Sequence, residues 1–219
     1  NSKGDSTDRA IEAGRLAEAV NKYSELFRLG RVSRSQVAIL VNENQWHFSQ
    51  ATGNASTHLS FTIRGIYKML WETGVWIDFV ETSLATVEEL RNYKAVILPF
   101  PLSLSDRVFR KLKDYVAFGG VLISEACLGR YDEYGFTRPG ELAEEVEEVF
   151  GVEHESLQLC HEPVKPPKWT PRERSYGEIK PSTRFEGEGA FRGHSVLASL
   201  YVETFKCRTA RPILTCEGK

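Results

Sequence analysis

Apolar residues along this chain fall into two alternating spacings, and the alternation sets out its elements. From Arg9 to Gly30, "RAIEAGRLAEAVNKYSELFRLG", apolar positions at Ile11, Leu16, Val20, Tyr23, Leu26 and Phe27 follow helical spacing, and Gly30 ends the run. "QVAILV" (36–41) is a continuous apolar run of the kind found in strands covered on both faces. "HLSFTIRGIYKMLWETG" (58–74) predicts a helix stopped by Gly74, and "VWIDFV" (75–80) a second strand. A short helical stretch at "TVEELRN" precedes a third strand, "YKAVILPF" (93–100), ended by proline. "SDRVFRKLKDYVAFGG" (105–120) has a serine N-cap and a paired-glycine stop, so it reads as a helix. "VLISEA" (121–126) is then a buried strand, and "RPGELAEEVEEVFG" (138–151) a helix bounded by proline and glycine.

Strand and helix alternate with strongly apolar strands, which predicts an α/β fold with a mainly parallel central sheet and helices on both faces. The character changes after "VEHESLQLC". "HEPVKPPKWTPRERSYGEIKPS" (161–182) is proline-rich and basic and reads as a long surface loop. "SVLASLYVET" and "ARPILTCEG" predict two closing strands joined by "FKCRT" as a hairpin. The expected organisation is a connector helix over 1–30, an α/β core over 31–160, a loop over 161–185 and closing strands of the same domain over 186–219.

Composition narrows the partners more than the fold. The 219 residues are 41% hydrophobic and carry a net charge of −2, so no basic footprint points to nucleic acid or an anionic membrane. No apolar run approaches the roughly 18 residues of a membrane span. The start at Asn1 and the stop at "TCEGK" read as the ends of a piece cut from a longer protein. Cys127, Cys160, Cys207 and Cys216 lack the close pairing of zinc sites and read as free thiols of a cytoplasmic protein.

Chemistry in an open α/β sheet collects at the carboxyl ends of the strands. The segments leaving them are "NENQWHFS" (42–49), "PFPLSLS" (99–105) and "EACLGRYDEYG" (125–135). Asn42, Glu43, Trp46, Glu125, Tyr131 and Asp132 are therefore the candidate ligand or interface residues, against a reading of each as a loop or capping residue. Glu43 and Glu125 could supply the two carboxylates of a glycosidase, although no spacing demands it. No Gly-rich phosphate loop is present, and the histidines lack metal-ligand spacing. No cofactor, metal or catalytic residue is assigned. Cys127 in "SEACLG" stands where a nucleophile would, but no helix follows to lower its pKa, so a small filler at a strand end is the plainer reading.

The order of these stretches resembles two related folds. Cys127 after a strand is similar to the class I glutamine amidotransferase arrangement, but Glu125 replaces the first glycine of its Gly-x-Cys-x-Gly elbow. "CHEP" places His161 and Glu162 side by side rather than as His-x-Glu. "VAILVNENQWHF", "GIYKMLWETGVWIDFVE" and "YKAVILPFPLSLSDRVFRKLKDYVAFGGVLISEACLGRYDEYG" together resemble the trimerisation domain of family 42 glycoside hydrolases, the bacterial β-galactosidases. The resemblance implies a flavodoxin-like, amidotransferase-like three-layer fold with a C-terminal strand pair. It also implies a non-catalytic assembly role beside an upstream TIM barrel that carries the catalytic glutamates. The implied partners are that barrel, further copies in a homo-oligomer, expected to be a trimer, and a galactoside substrate. Trp46 would face a sugar or an interface, or lie in the core. Two other functions stay open: a carbohydrate or small-molecule binding module built on the strand-end loops, and a thiol enzyme using Cys127.

Overall fold

The computed structural model describes residues 7–31, 33–51, 55–138, 144–159, 183–198 and 201–216. Cys160 and the proline-rich loop expected over 161–182 lie outside the described residues. The chain divides into two compact units, the first ending at Arg34 and the second beginning at Ser35.

The first unit holds α1 (Asp8–Lys22) and α2 (Ser24–Leu29). One helix was expected over this stretch, but Tyr23, at φ −106° and ψ 22°, leaves helical geometry and divides it. Thr7 caps α1, its hydroxyl accepting the Ala10 N–H at 3.3 Å, and Asp8 complements the helix dipole in the first turn. The apolar stripe of both helices, from Ile11 to Leu29, is exposed.

The second unit is built on four parallel strands: β1 (Val37–Val41), β2 (Ile77–Glu81), β3 (Ala95–Leu98) and β4 (Val121–Ser124). Their order is β2-β1-β3-β4. The central strands β1 and β3 bury Ala38, Ile39, Leu40, Val96 and Leu98 almost completely, as their unbroken apolar runs require. The strand expected to be buried at 121–126 is instead an edge, and Val121 and Ile123 face outward.

Helices α3 (Glu43–Ala51), α4 (Ala55–Glu72), α5 (Val87–Leu90), α6 (Asp106–Ala117) and α7 (Glu144–Phe150) connect or flank these strands. Ser105 caps α6 by accepting the Val108 N–H, and the helix places Val108, Phe109, Leu112 and Tyr115 in the main core. Lys111, on the same helix, donates to the carbonyls of Thr82 (2.5 Å) and Ala85 (2.7 Å), closing the turn after β2. Among the described residues, no helix is long and apolar enough to cross a membrane.

The C-terminal part departs from the expected hairpin. β5 (Val152–Leu159) pairs antiparallel with β8 (Tyr201–Cys207), while β6 (Thr183–Gly187) lies between β7 (Ser195–Ala198) and β9 (Leu214–Cys216). The first expected closing strand divides into β7 and β8, which lie in different sheets, while the second, β9, shares a sheet with β7. β8 and β9 each take their partner from a distant segment, which local alternation cannot reveal.

Candidate functional site

Strand order reverses between β1 and β3, so the segments leaving those two strands face one another at the switch point where open α/β sheets bind ligands. The expected loop at 42–49 is in fact the start of α3. Asn42 caps it, with its side-chain oxygen facing the Gln45 N–H at 3.4 Å and its carbonyl accepting the Trp46 N–H at 3.2 Å. Asn42 with Gln45 three residues on is a helix-start signature that was legible in "NENQ".

The chain fills this crevice with its own side chains. Gln45 is 1% exposed, and its side-chain oxygen accepts the N–H of Ser103, also 1% exposed, at 2.5 Å. Asn42 donates to the Ser103 carbonyl at 2.8 Å, and the Ser103 hydroxyl donates to the Asp132 carbonyl at 2.8 Å. Leu104 donates to the Tyr131 carbonyl and Tyr131 to the Leu102 carbonyl, each at 3.0 Å. The ring of Phe48 packs 4.9 Å from that of Tyr131. Three strand-end segments are thereby stitched into one face, and Gln45 and Ser103, which join them, were not among the expected residues.

Each expected residue can now be placed. Asn42 and Tyr131 hold the stitched face together. Asp132 forms a turn, its carboxylate accepting the N–H groups of Tyr134 and Phe136, both at 2.9 Å. Glu43 is exposed and lies 3.7 Å from His47 one helical turn on. Trp46 is 40% exposed, which makes it neither a core residue nor a free one. Asn42, Glu43 and Trp46 share the wall of a small cleft of about 260 Å³. Glu125 instead lines a separate, larger cleft of about 1170 Å³ that runs to the C-terminal sheets, so the two candidate carboxylates open on different spaces.

Glu125 accepts the N–H of Phe100 at 3.0 Å, at a residue held at φ +36°. Burial raises its pKa, and hydrogen bonds from Phe100 and Thr62 oppose the rise. The folded state therefore keeps this proton to higher pH than the unfolded chain does. Stability contributed by the neutral form falls as pH rises from the ordinary carboxylate range through the raised value. Glu125→Gln, neutral throughout, is expected to flatten that fall. Its urea midpoint should gain on wild type as pH rises out of the ordinary carboxylate range and level off once Glu125 has ionised, and a constant offset would count against this burial effect.

Cys127 is fully buried at φ +73°, an uncommon backbone state for a residue with a β-carbon. Burial, then the nearby Glu203 carboxylate, push its thiol up to about 12. A thiol in that condition is protonated at neutral pH and supplies no nucleophile. Among the described residues, no group of three or more His, Cys, Asp or Glu side chains could hold a metal ion.

A family model described as a β-galactosidase trimerisation domain matches residues 35–176. β-Galactosidase GanA of Bacillus subtilis is 27% identical over 145 residues, covering 65% of this chain and 21% of that protein. β-Galactosidase GalA of Bacillus licheniformis is 25% identical over 145 residues, again 65% of this chain and 21% of the relative. The chain thus spans about a fifth of the length of these curated relatives. Among solved structures, a catalytic mutant of Gan42B, a GH42 β-galactosidase from G. stearothermophilus, superposes with a TM-score of 0.70 at 23% identity, over 99% of this chain and 28% of that one. The β-galactosidase of Bacillus circulans sp. alkalophilus gives 0.70 at 18% identity, over 100% of this chain and 30% of that one. At these identities the structural likeness is one of fold.

Proposed function

This chain belongs to the β-galactosidase trimerisation-domain family, and we propose that it serves as the non-catalytic assembly domain of a glycoside hydrolase. In that reading it packs against a catalytic barrel and against further copies of the same protein, and the complete assembly is a trimer acting on a galactoside. The observation that carries the proposal is the amount of large apolar surface left open on regular elements. On one side of the sheet, Tyr67 stacks on Trp71 (6.1 Å) and on Phe79 of the edge strand β2 (5.8 Å). Trp71 is 65% exposed and Trp76 71%. Isolated exposed hydrophobics are ordinary, but an aromatic row on a sheet edge marks a surface made to be covered. The stripe along α1 and α2 is a second such surface.

The strand-end residues take a secondary place in this proposal. Trp46 and Glu43, around the small cleft, are left to meet a sugar or a neighbouring subunit. Asn42, Glu125, Tyr131 and Asp132 act within the domain, holding backbone. Burial holds the small Cys127 thiol protonated, which supports assembly over a thiol enzyme.

Sedimentation of the chain across concentration tests the reading. Self-association is expected, and Trp71→Ser with Phe79→Ser should weaken it by at least about tenfold, the effect of losing roughly 1.4 kcal/mol at an interface. Trp46→Ala in the same measurement separates an interface role, which weakens association, from a sugar-facing one, which leaves it unchanged. A chain that remains monomeric at every concentration, both alone and with a catalytic barrel supplied, would overturn the proposal.

A further inference from the structure

One group of buried polar side chains is used neither by the strand-end face nor by the exposed apolar surfaces. It lies where the turn after β4 meets the β5–β8 pair. Glu203, on β8, has a side chain only 2% exposed. Its Oε2 accepts the main-chain N–H of Cys127 at 2.7 Å, and the N–H of Leu128 bonds to the same carboxylate. Its Oε1 lies 3.3 Å from Nε2 of His154, a side chain 3% exposed on β5. The remaining charged group beside it is Arg130, whose Nη1 is buried without a hydrogen-bond partner among the described residues.

These facts share one physical sense. Two consecutive main-chain N–H groups can aim at a single point when one residue of the pair takes a left-handed conformation, and this concavity binds anions. Cys127 at φ +73° provides that conformation, in a residue for which it costs about 1–2 kcal/mol. A guanidinium and an imidazole stand beside the concavity. The occupant is a carboxylate that comes from a strand 76 positions later in the chain. A buried carboxylate is expensive unless its oxygens are satisfied; the two N–H groups stabilise it, and it them, while Oε1, beside His154, accepts no hydrogen bond among the described residues.

We propose that the Cys127–Leu128 turn is a cradle for a small carboxylate and that Glu203 is its resident, intramolecular ligand. Glu203 fastens β8 to the end of β4 and keeps outside anions away from the turn. Emptied of that side chain, the cradle takes a free monocarboxylate of the size of acetate, the fragment that Glu203→Ala removes. The Cys127 thiol, fully buried against Leu59 and Phe100 with Glu203 close by, becomes reachable when the cradle is empty.

Thermal unfolding and thiol labelling of the whole chain test this. Glu203→Ala should unfold at lower temperature than wild type, and sodium acetate should restore its midpoint in a saturable manner. Acetamide, and sodium chloride at the same ionic strength, should not. In the same variant, iodoacetamide should label Cys127 at least about tenfold faster than in wild type, as local opening of a sealed site allows, and acetate should slow the labelling again. Glu203→Gln, of equal size but neutral, should show less labelling and no acetate response. If Glu203→Ala cannot fold alone, refolding in acetate supports the cradle and failure to refold there overturns it. Equal rescue by acetamide, acetate stabilisation of wild type to the same degree, or unchanged Cys127 labelling would also overturn it.

Discussion

Gly120→Ala is expected to remove a large part of the folding free energy of the second unit, about 3–5 kcal/mol of the 5–15 typical of a domain. A β-carbon at Gly120 would stand 2.2 Å from Cζ of Tyr115 and within 2.5 Å of both Cε atoms. Such contacts are relieved only if the ring moves, and the ring has nowhere to go. Tyr115 is 1% exposed in the main core, and its hydroxyl donates to the carbonyl of Tyr93 at 3.1 Å. Moving it would lose that bond and leave a buried hydroxyl unsatisfied, a further 1–3 kcal/mol. Gly119→Ala makes the comparison informative. Its φ of +91° strains an alanine, but nothing lies within 4 Å of its β-carbon, so about 1 kcal/mol is expected there. Urea midpoints of the two variants should differ accordingly. In the double variant Gly120→Ala with Tyr115→Ala, the losses should fall well short of additive, because the clash is removed with the ring. Equal midpoints for Gly119→Ala and Gly120→Ala would mean that the ring is not pinned.

The paired glycines also show how far the sequence could be read. "AFGG" announces the end of α6, yet only the packed structure shows that one glycine turns the chain and the other makes room for a ring. The central strands were legible because burial on both faces leaves an unbroken apolar run, as in "VAIL" and "AVIL". The edge position of β4 was not, because "VLIS" is just as apolar although Val121 and Ile123 face outward. β5 escaped because "VEHESLQL" mixes charges into both faces and carries a register shift between His154 and Ser156. Its partner β8 follows a long intervening segment, and pairing over such a distance leaves no local pattern.

The candidate site was legible as a place and not as a mechanism. Strand ends and the switch point followed from the alternation of elements, and Asn42, Tyr131 and Asp132 do lie on the stitched face. What the sequence hid was that these residues serve the backbone. An aspartate that accepts two N–H groups in its own turn looks, in one dimension, like an aspartate waiting for a ligand. Cys127 shows the same limit from the other side. "SEACLG" puts a thiol where a nucleophile would stand or a small filler would pack, and the residues that bury it, Leu59 and Phe100 among them, become its neighbours only through the fold.

Gln45→Ala is the second change expected to have a large effect, and it bears directly on the strand-end face. Gln45 is among the largest fully buried side chains of the protein, so truncation opens a cavity where the segments after β1 and β3 meet. The Ser103 N–H loses its acceptor in the same step. An orphaned buried donor costs about 1–3 kcal/mol and a cavity of this size about 2 kcal/mol more, so a total of about 3–5 kcal/mol is expected. Gln45→Leu separates the two contributions, since it fills most of the volume and leaves the Ser103 N–H unpaired. Its cost should lie near the lower figure. Gln45→Glu keeps an acceptor but places a carboxylate in a nearly dry site, so it should be tolerated at low pH and lose stability as pH rises. Hydrogen exchange locates the effect. The amides of Ser103, Leu104 and Tyr131 should exchange faster in Gln45→Leu by more than the change in global stability accounts for, because their bonds cross the gap that Gln45 spans. Uniform acceleration across the sheet would mean that Gln45 supports the core as a whole. Local acceleration would mean that this glutamine holds the strand-end face rigid.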